Sequence, residues 1–279
     1  MGAEHILFAI LADQIRTHTL KLPSLPDVAL RVRDVADDPR SNLNQIAEVV
    51  ARDPALSLRL VRLANTAHYA RATRVNNVHA AVHRIGMRAI RNIAIAMALE
   101  QLFMVHNPVV RQYMHKSWHQ AVVACCAASA LFNNAEPQQR RGLDCDIVTL
   151  LALTHNIGML PILAEAERHD DIFANPTFLE RAFRLHGCAI GGAIMAAWEF
   201  EPALVAAAAL WGDLAQQPEP LPDYVDYLRL GAVHAGYFKG EEAARVLAAA
   251  RERGLIGEQD PFRQPAVMKF FHDMLTAFE

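Results

Sequence analysis

Cysteine is scarce in this chain. Four residues (Cys125, Cys126, Cys145, Cys188) among 279 are too few to staple a domain of this size, so core thiols in a reducing, cytoplasmic setting are expected. An excess of one charge is also missing. The 27 Lys and Arg nearly balance the 30 Asp and Glu, leaving −3, so no bulk field gathers nucleic acid or an anionic membrane. No run reaches the ~18 or more uninterrupted apolar residues of a membrane-spanning helix. The opening "MGAEHILFAILADQIRTHTL" has neither a basic start nor a small-residue cleavage site, so an amphipathic helix is expected there rather than a secretory leader. No glycine-rich phosphate loop appears, since Gly191 and Gly192 lie inside an apolar helical pattern that reads as close packing. No serine sits in a nucleophile elbow. Aromatic residues do not interleave with the basic ones, as single-stranded nucleic-acid grooves require.

What is present is helix. The chain is 53% hydrophobic, enough for a packed core, and its length suits one large or two modest domains at ~100–200 residues each. Val28, Val32 and Val35 form a stripe that ends before Pro39. Asn42 stands three residues before Gln45, as in a capping box. Asp53 and Pro54 open a helix whose buried face is marked by Leu56, Leu60, Leu63 and Ala67. Val78, Ala81, Val82 and Ile85 precede Gly86, which supplies a left-handed close. Residues 87–103 are apolar around most of the helix circumference and should be central. Asn107-Pro108 breaks the chain, and a long helix follows over 109–132. The run "LLALTHNIGMLPIL" (residues 150–163) reads as one helix capped by Asp144 or Asp146. Further helices are expected at 176–184, 187–200, 202–211, 222–238, 241–253 and 263–278. No period-2 strand is found, so the fold class is all-α.

Several residues could carry chemistry. His79/His83 and His115/His119 are each spaced i, i+4 and so share a helix face, which can chelate zinc, although no third ligand is evident. Surface or structural histidines are the plainer reading. Arg84, Arg88 and Arg91 follow i, i+4, i+7, with Arg71 and Arg74 just before them. Such a face can fork onto phosphate, contact a partner protein, or simply be neutralised by carboxylates. The C-terminal "RQPAVMKFFHDMLTAF" is amphipathic through Val267, Phe270, Phe271, Met274, Leu275 and Phe278. It suits docking on its own domain or a dimer or partner surface.

Taken together, "LPSLPDVALRV", "RDPALSLRLVRLANTAHY", "VNNVHAAVHRIG", the segment from Trp118, "THNIG" and "HGCAIGGAIMAAWEF" resemble an HDOD domain over roughly residues 19–215. The resemblance implies an N-terminal helical bundle packed on an HD-like helical bundle. It divides the chain into an N-terminal helix (1–18), an N-terminal half (19–108), a degenerate HD-like half (109–238) and a C-terminal extension (239–279). HD phosphohydrolases hold divalent metals on histidines and carboxylates from several helices. By the same resemblance, the dyad aspartate is here Asn156, beside His155. Two further ligand positions hold Gln120 and Gly187, and a Tyr-His-His stretch is replaced by Leu210, Trp211 and Gly212. Adjacent His119 and His186 lie one residue off, about 100° around the helix. His155 is then either a buried ring paired with a backbone carbonyl or the remnant of a metal contact.

The implied function is non-catalytic bacterial signal transduction through protein–protein contact. It needs no cofactor and no metal, and works in two-component or cyclic-di-GMP-linked regulation. Expected partners are response-regulator or cyclic-di-GMP enzyme proteins, with a homodimer left open and neither membrane nor nucleic acid. Two alternatives stand beside it: a divergent metal-dependent phosphohydrolase using His119, His155 and His186, and a nucleotide-sensing module using the Arg84/Arg88/Arg91 face.

Overall fold

The computed structural model describes residues 9–10, 13–14, 17, 26–66, 68–69, 73–99, 106–140, 142–170, 174–215 and 223–278. Among them only helices and their connections occur. In chain order they are α1 (Asp27–Asp37), α2 (Leu43–Val50), α3 (Pro54–Ala64), α4 (Val78–Ile85), α5 (Met87–Leu99), α6 (Pro108–Asn134) and α7 (Cys145–Thr154). After these come α8 (Met159–Arg168), α9 (Pro176–Ala197), α10 (Pro202–Leu210), α11 (Tyr224–His234), α12 (Glu241–Glu252) and α13 (Pro265–Phe278). Most of the expected N-terminal helix, together with Ala67, Arg71 and the "LPSL" opening, lies outside the described residues. The backbone divides into two compact units. The first is Met1–Ser24, Phe103–Ala121 and Thr154–Gln217; the second is Leu25–Leu102, Val122–Leu153 and Pro218–Glu279.

In the second unit the start signals work as their chemistry requires. The Asn42 side chain accepts from the backbone N–H of Asn44 and Gln45, and Gln45 reaches back to the Asn42 N–H at 2.8 Å. Asp53 accepts from the Leu56 N–H at 3.0 Å, with Pro54 at the first helical position. Caps of this kind contribute about 1 kcal/mol each. Gly86 takes φ 91° and ψ 159°. That is not the left-handed helical conformation expected but a more extended one that glycine alone adopts readily. It lets α5 begin at the next residue. Val32 is fully buried, but its stripe is completed by Ala29 rather than by the half-buried Val28 and Val35. Here α1 packs on α5, α4 on both α2 and α3, and α13 on α3.

The first unit holds the N-terminal part of α6 with α8, α9 and α10. Asn107 accepts from the N–H groups of Val109 and Val110, and the Glu167 carboxylate accepts from those of His106 and Asn107, at 2.6 and 3.1 Å. These bonds satisfy donors that a helix N-terminus leaves unpaired. Two expectations need correction here. Residues 150–163 are not one helix, because His155 to Gly158 form a turn between α7 and α8. Residues 176–197 are one helix of 22 residues rather than two, running through Gly187, Gly191 and Gly192.

The reason is packing. A Cβ on Gly158 would lie 1.9 Å from the Gly187 carbonyl oxygen, and one on Gly192 would lie 2.9 Å from the Ala209 Cβ. Glycine costs up to about 1 kcal/mol in a helix interior, but here it is what lets three backbones approach. Among the described residues one stretch, Cys145–Arg168, is long and apolar enough to span a membrane, and 78% of its most apolar window is buried in the protein.

Candidate functional site

The dyad position lies at the α7–α8 turn of the first unit. His155 is fully buried. The Trp211 ring meets the imidazole edge-on, with centroids 4.6 Å apart, and its indole N–H donates to the His155 backbone carbonyl at 3.0 Å. Trp211 comes from the end of α10 and is itself 3% exposed. In the sequence this residue stands out only as part of the Leu210–Gly212 stretch. No periodicity signals a ring laid against a residue 56 positions away.

Asn156 uses its amide as a donor, to the Ser117 carbonyl of α6 at 3.0 Å. An aspartate could not make that bond, and its carboxylate oxygen would face a carbonyl oxygen. Gly187 is buried, and the space a side chain would need there is taken. Its Cβ would fall 2.3 Å from the Phe183 ring, one turn earlier on α9. That ring also packs toward Trp211, at 6.4 Å between centroids.

The two residues one step away are placed differently. His119 is exposed on α6 and His186 is half-buried on α9, where desolvation holds its pKa below the ordinary imidazole value. Gln120 is half-buried on α6. Among the described residues no three of His, Cys, Asp or Glu come together in a way that could hold a metal ion. The metal implied by the HD fold therefore does not fit the residues present. One candidate donor is enclosed by an indole, the second has become an amide turned donor, and the third position is filled by a phenyl ring.

The other candidates are tied into the second unit. Arg84 donates to the Ala64 carbonyl at 3.3 Å and to the Thr73 carbonyl at 2.5 Å. Arg88 pairs with Asp144, and Arg91 makes two contacts with Asp37 at 3.2 Å. Each guanidinium thus has its own internal partner. His83 bonds Asn44 across 3.0 Å, while His79 is exposed. In the first unit His115 is exposed, like His119. All four cysteines are free thiols, and burial pushes the Cys125 pKa up to about 12 and that of Cys145 higher still. Neither is a thiolate near neutral pH, so neither is a ready nucleophile. The apolar side of α13 (Val267, Phe270, Phe271, Met274, Phe278) is buried, with Leu275 half-buried.

Among the described residues the class that the structure defines is therefore an all-helical one. The HDOD domain pattern matches residues 22–212, and the chain belongs to the HDOD domain family. It is similar to a protein of known structure from Shewanella amazonensis SB2B, provisionally named a metal-dependent phosphohydrolase. The two are 33% identical over 99% of both chains, with a TM-score of 0.90. The fold also matches an HDOD domain protein from Geobacter sulfurreducens (18% identity, 90% of this chain and 83% of that one, TM-score 0.52). A third match is a Marinobacter aquaeolei VT8 protein provisionally named for signal transduction (23% identity, 94% and 59%, TM-score 0.57). An uncharacterized Treponema pallidum (strain Nichols) protein is 24% identical over 129 residues, spanning 46% of this chain and 24% of that protein.

Proposed function

We propose that this chain is a non-catalytic signalling module that acts by binding other proteins. In this reading it works in the cytoplasm, in two-component or cyclic-di-GMP-linked regulation, without a metal or other cofactor. The supporting observation is the filled dyad region. Trp211 and Phe183 occupy the space around His155 and Gly187, and Asn156 donates a hydrogen bond where a ligand would have to offer charge. A metal that activates water needs several fixed donors and an open coordination position. Membership of the HDOD family supports the signalling part of the reading.

The test is elemental analysis of untagged protein purified without chelators, followed by a phosphodiesterase screen. Substoichiometric metal and no hydrolysis of bis-p-nitrophenyl phosphate or cyclic dinucleotides are expected. The similarity to the Shewanella protein favours a second reading, a phosphohydrolase with shifted ligands His119, His155 and His186. About one or two tightly held Fe, Mn, Ni or Zn ions per chain, with hydrolysis that chelation abolishes, would establish it and overturn the first.

A further inference from the structure

We propose that the groove between α3 and α13 docks an acidic, amphipathic helical segment of a partner protein. The proposal rests on the protein-binding reading above and names the surface that carries it. The groove, about 940 Å³, is lined by Val61, Arg62, Asn65 and Thr66 of α3 and its end, by Arg74, Val75 and Asn76 of the following loop, and by Asp273, Thr276 and Ala277 of α13. Its second wall comes from residues beyond the family match, which ends at 212. The groove therefore lies partly outside the stretch that the family pattern covers.

The walls are built, not incidental. Asn65 donates to the Val61 and Val75 carbonyls at 2.9 and 2.8 Å and accepts from the Val75 N–H at 2.9 Å. Arg84 holds the same loop through the Thr73 carbonyl. The loop that carries Arg74 is thereby fixed to the end of α3. On α13, Asp273, Thr276 and Ala277 follow i, i+3, i+4, so they share one face. The large apolar side chains of that helix are buried against its own unit.

Charge and apolar surface then select the occupant. Arg62 and Arg74 are exposed and, among the described residues, have no hydrogen bond or ion pair, in contrast to the engaged Arg84, Arg88 and Arg91. They face a single carboxylate, Asp273, so the groove carries a net positive charge in a chain whose total is −3. One turn before Arg62, Leu58 is 54% exposed. Leu58, Val61, Arg62 and Asn65 follow i, i+3, i+4, i+7 along α3, a stripe of about 10 Å at 1.5 Å per residue. An open groove with apolar residues along one wall and guanidiniums at its rim matches helix-in-groove recognition. A small nucleotide instead prefers a cleft that encloses most of its surface. In the docked state carboxylates of the segment would meet Arg62 and Arg74, and its apolar residues would cover Leu58 and Val61.

The experiment is selection of 16-residue peptides from a random display library on the full-length chain, followed by affinity measurement for synthesised winners. The expected winners carry two or more Asp or Glu beside apolar residues at i, i+3/i+4, i+7. Arg62→Glu/Arg74→Glu should weaken them at least tenfold, and Leu58→Ser several-fold. Asp273→Lys should leave binding equal or tighter. Unchanged thermal melts of all variants would show that folding is not the cause. Winners without acidic enrichment, or indifferent to Arg62→Glu/Arg74→Glu, would overturn the groove while leaving protein binding elsewhere intact. Full competition by GTP or pyrophosphate would replace the peptide with a small anion. Self-association abolished by the same double variant would replace it with a second copy of the chain. Metal-dependent hydrolysis would overturn the function proposed above without touching any of these readouts.

Discussion

The dyad turn in the first unit and the groove in the second hold similar kinds of residue and treat them in opposite ways. At the turn, polar groups are enclosed: His155 lies under an indole, and the Asn156 amide bonds a backbone carbonyl. In the groove, Arg62 and Arg74 are exposed and Asp273 is half-buried, and none has a partner among the described residues. A buried polar group left unpaired costs about 1–3 kcal/mol, a cost that the Asn156 amide avoids through the Ser117 carbonyl. An exposed charge pays little for lacking a partner and remains available to one. Resemblance to an enzyme is concentrated at the turn, while the docking proposed above is placed at the groove.

The sharpest way to break this contrast is Trp211→Ala. It removes a buried ring packed on His155 and Phe183 and orphans the His155 carbonyl. A loss of about 3–5 kcal/mol is expected for a buried aromatic, read by chemical denaturation. A near-neutral result would mean that the turn is loosely held and open to ligand. Gly158→Ala comes next. Its methyl would meet the Gly187 carbonyl at 1.9 Å, a backbone atom that cannot rotate away. Destabilisation at or above the upper end of the usual overpacking cost of about 1–3 kcal/mol is expected, and wild-type stability would show that α8 and α9 can separate freely.

Acid should act on both units. Burial holds the imidazoles of His68, His186 and His234 below their ordinary pKa, although Asp144 pulls His68 and Asp260 pulls His234 upward. Their unfolded pKa lies near 6.5, so as pH falls through that value the unfolded chain takes up protons first. Their contribution is complete above about pH 6.5 and is lost progressively below it. Asp226, raised by burial beside Arg253, works in the opposite direction. A lower Tm at pH 5.5 than at pH 7 is expected, with the difference reduced in the triple variant His68→Asn/His186→Asn/His234→Asn. An undiminished difference would assign the effect to carboxylates. The smallest effect belongs to the surface. The Arg91–Asp37 pair should give about 0.2–1 kcal/mol in a double-mutant cycle, falling with salt.

Much of the architecture could be read along the chain because its signals are local. Asn42 with Gln45 and Asp53 with Pro54 mark helix starts within three residues, and Gly86 and Gly254 sit at positive φ where helices stop. The family pattern was legible for the same reason, as ordered motifs need no knowledge of contacts. The break at His155 to Gly158 was not, since its apolar flanks continue a helical pattern on both sides. Nor was the continuity of α9 through Gly187, Gly191 and Gly192, because helix propensity penalises glycine and only the neighbouring backbones repay it. The arginine pattern told less than it promised. Arg84, Arg88 and Arg91 share a spacing but have different partners, while Arg62 and Arg74, outside that spacing, are exposed and unpaired among the described residues.

That this protein is all-helical, where most of its helices begin, and that it carries HDOD motifs were legible along the chain, and the resemblance implies ligand positions at Asn156, Gln120 and Gly187. Each of these depends on residue identity and near neighbours. What surrounds those positions, and which charges stay exposed, came from the folded chain. Trp211 over His155 and α13 closing a groove against α3 are contacts between residues far apart in the chain. Steric fit and the burial of polar groups set them, and no local pattern encodes either.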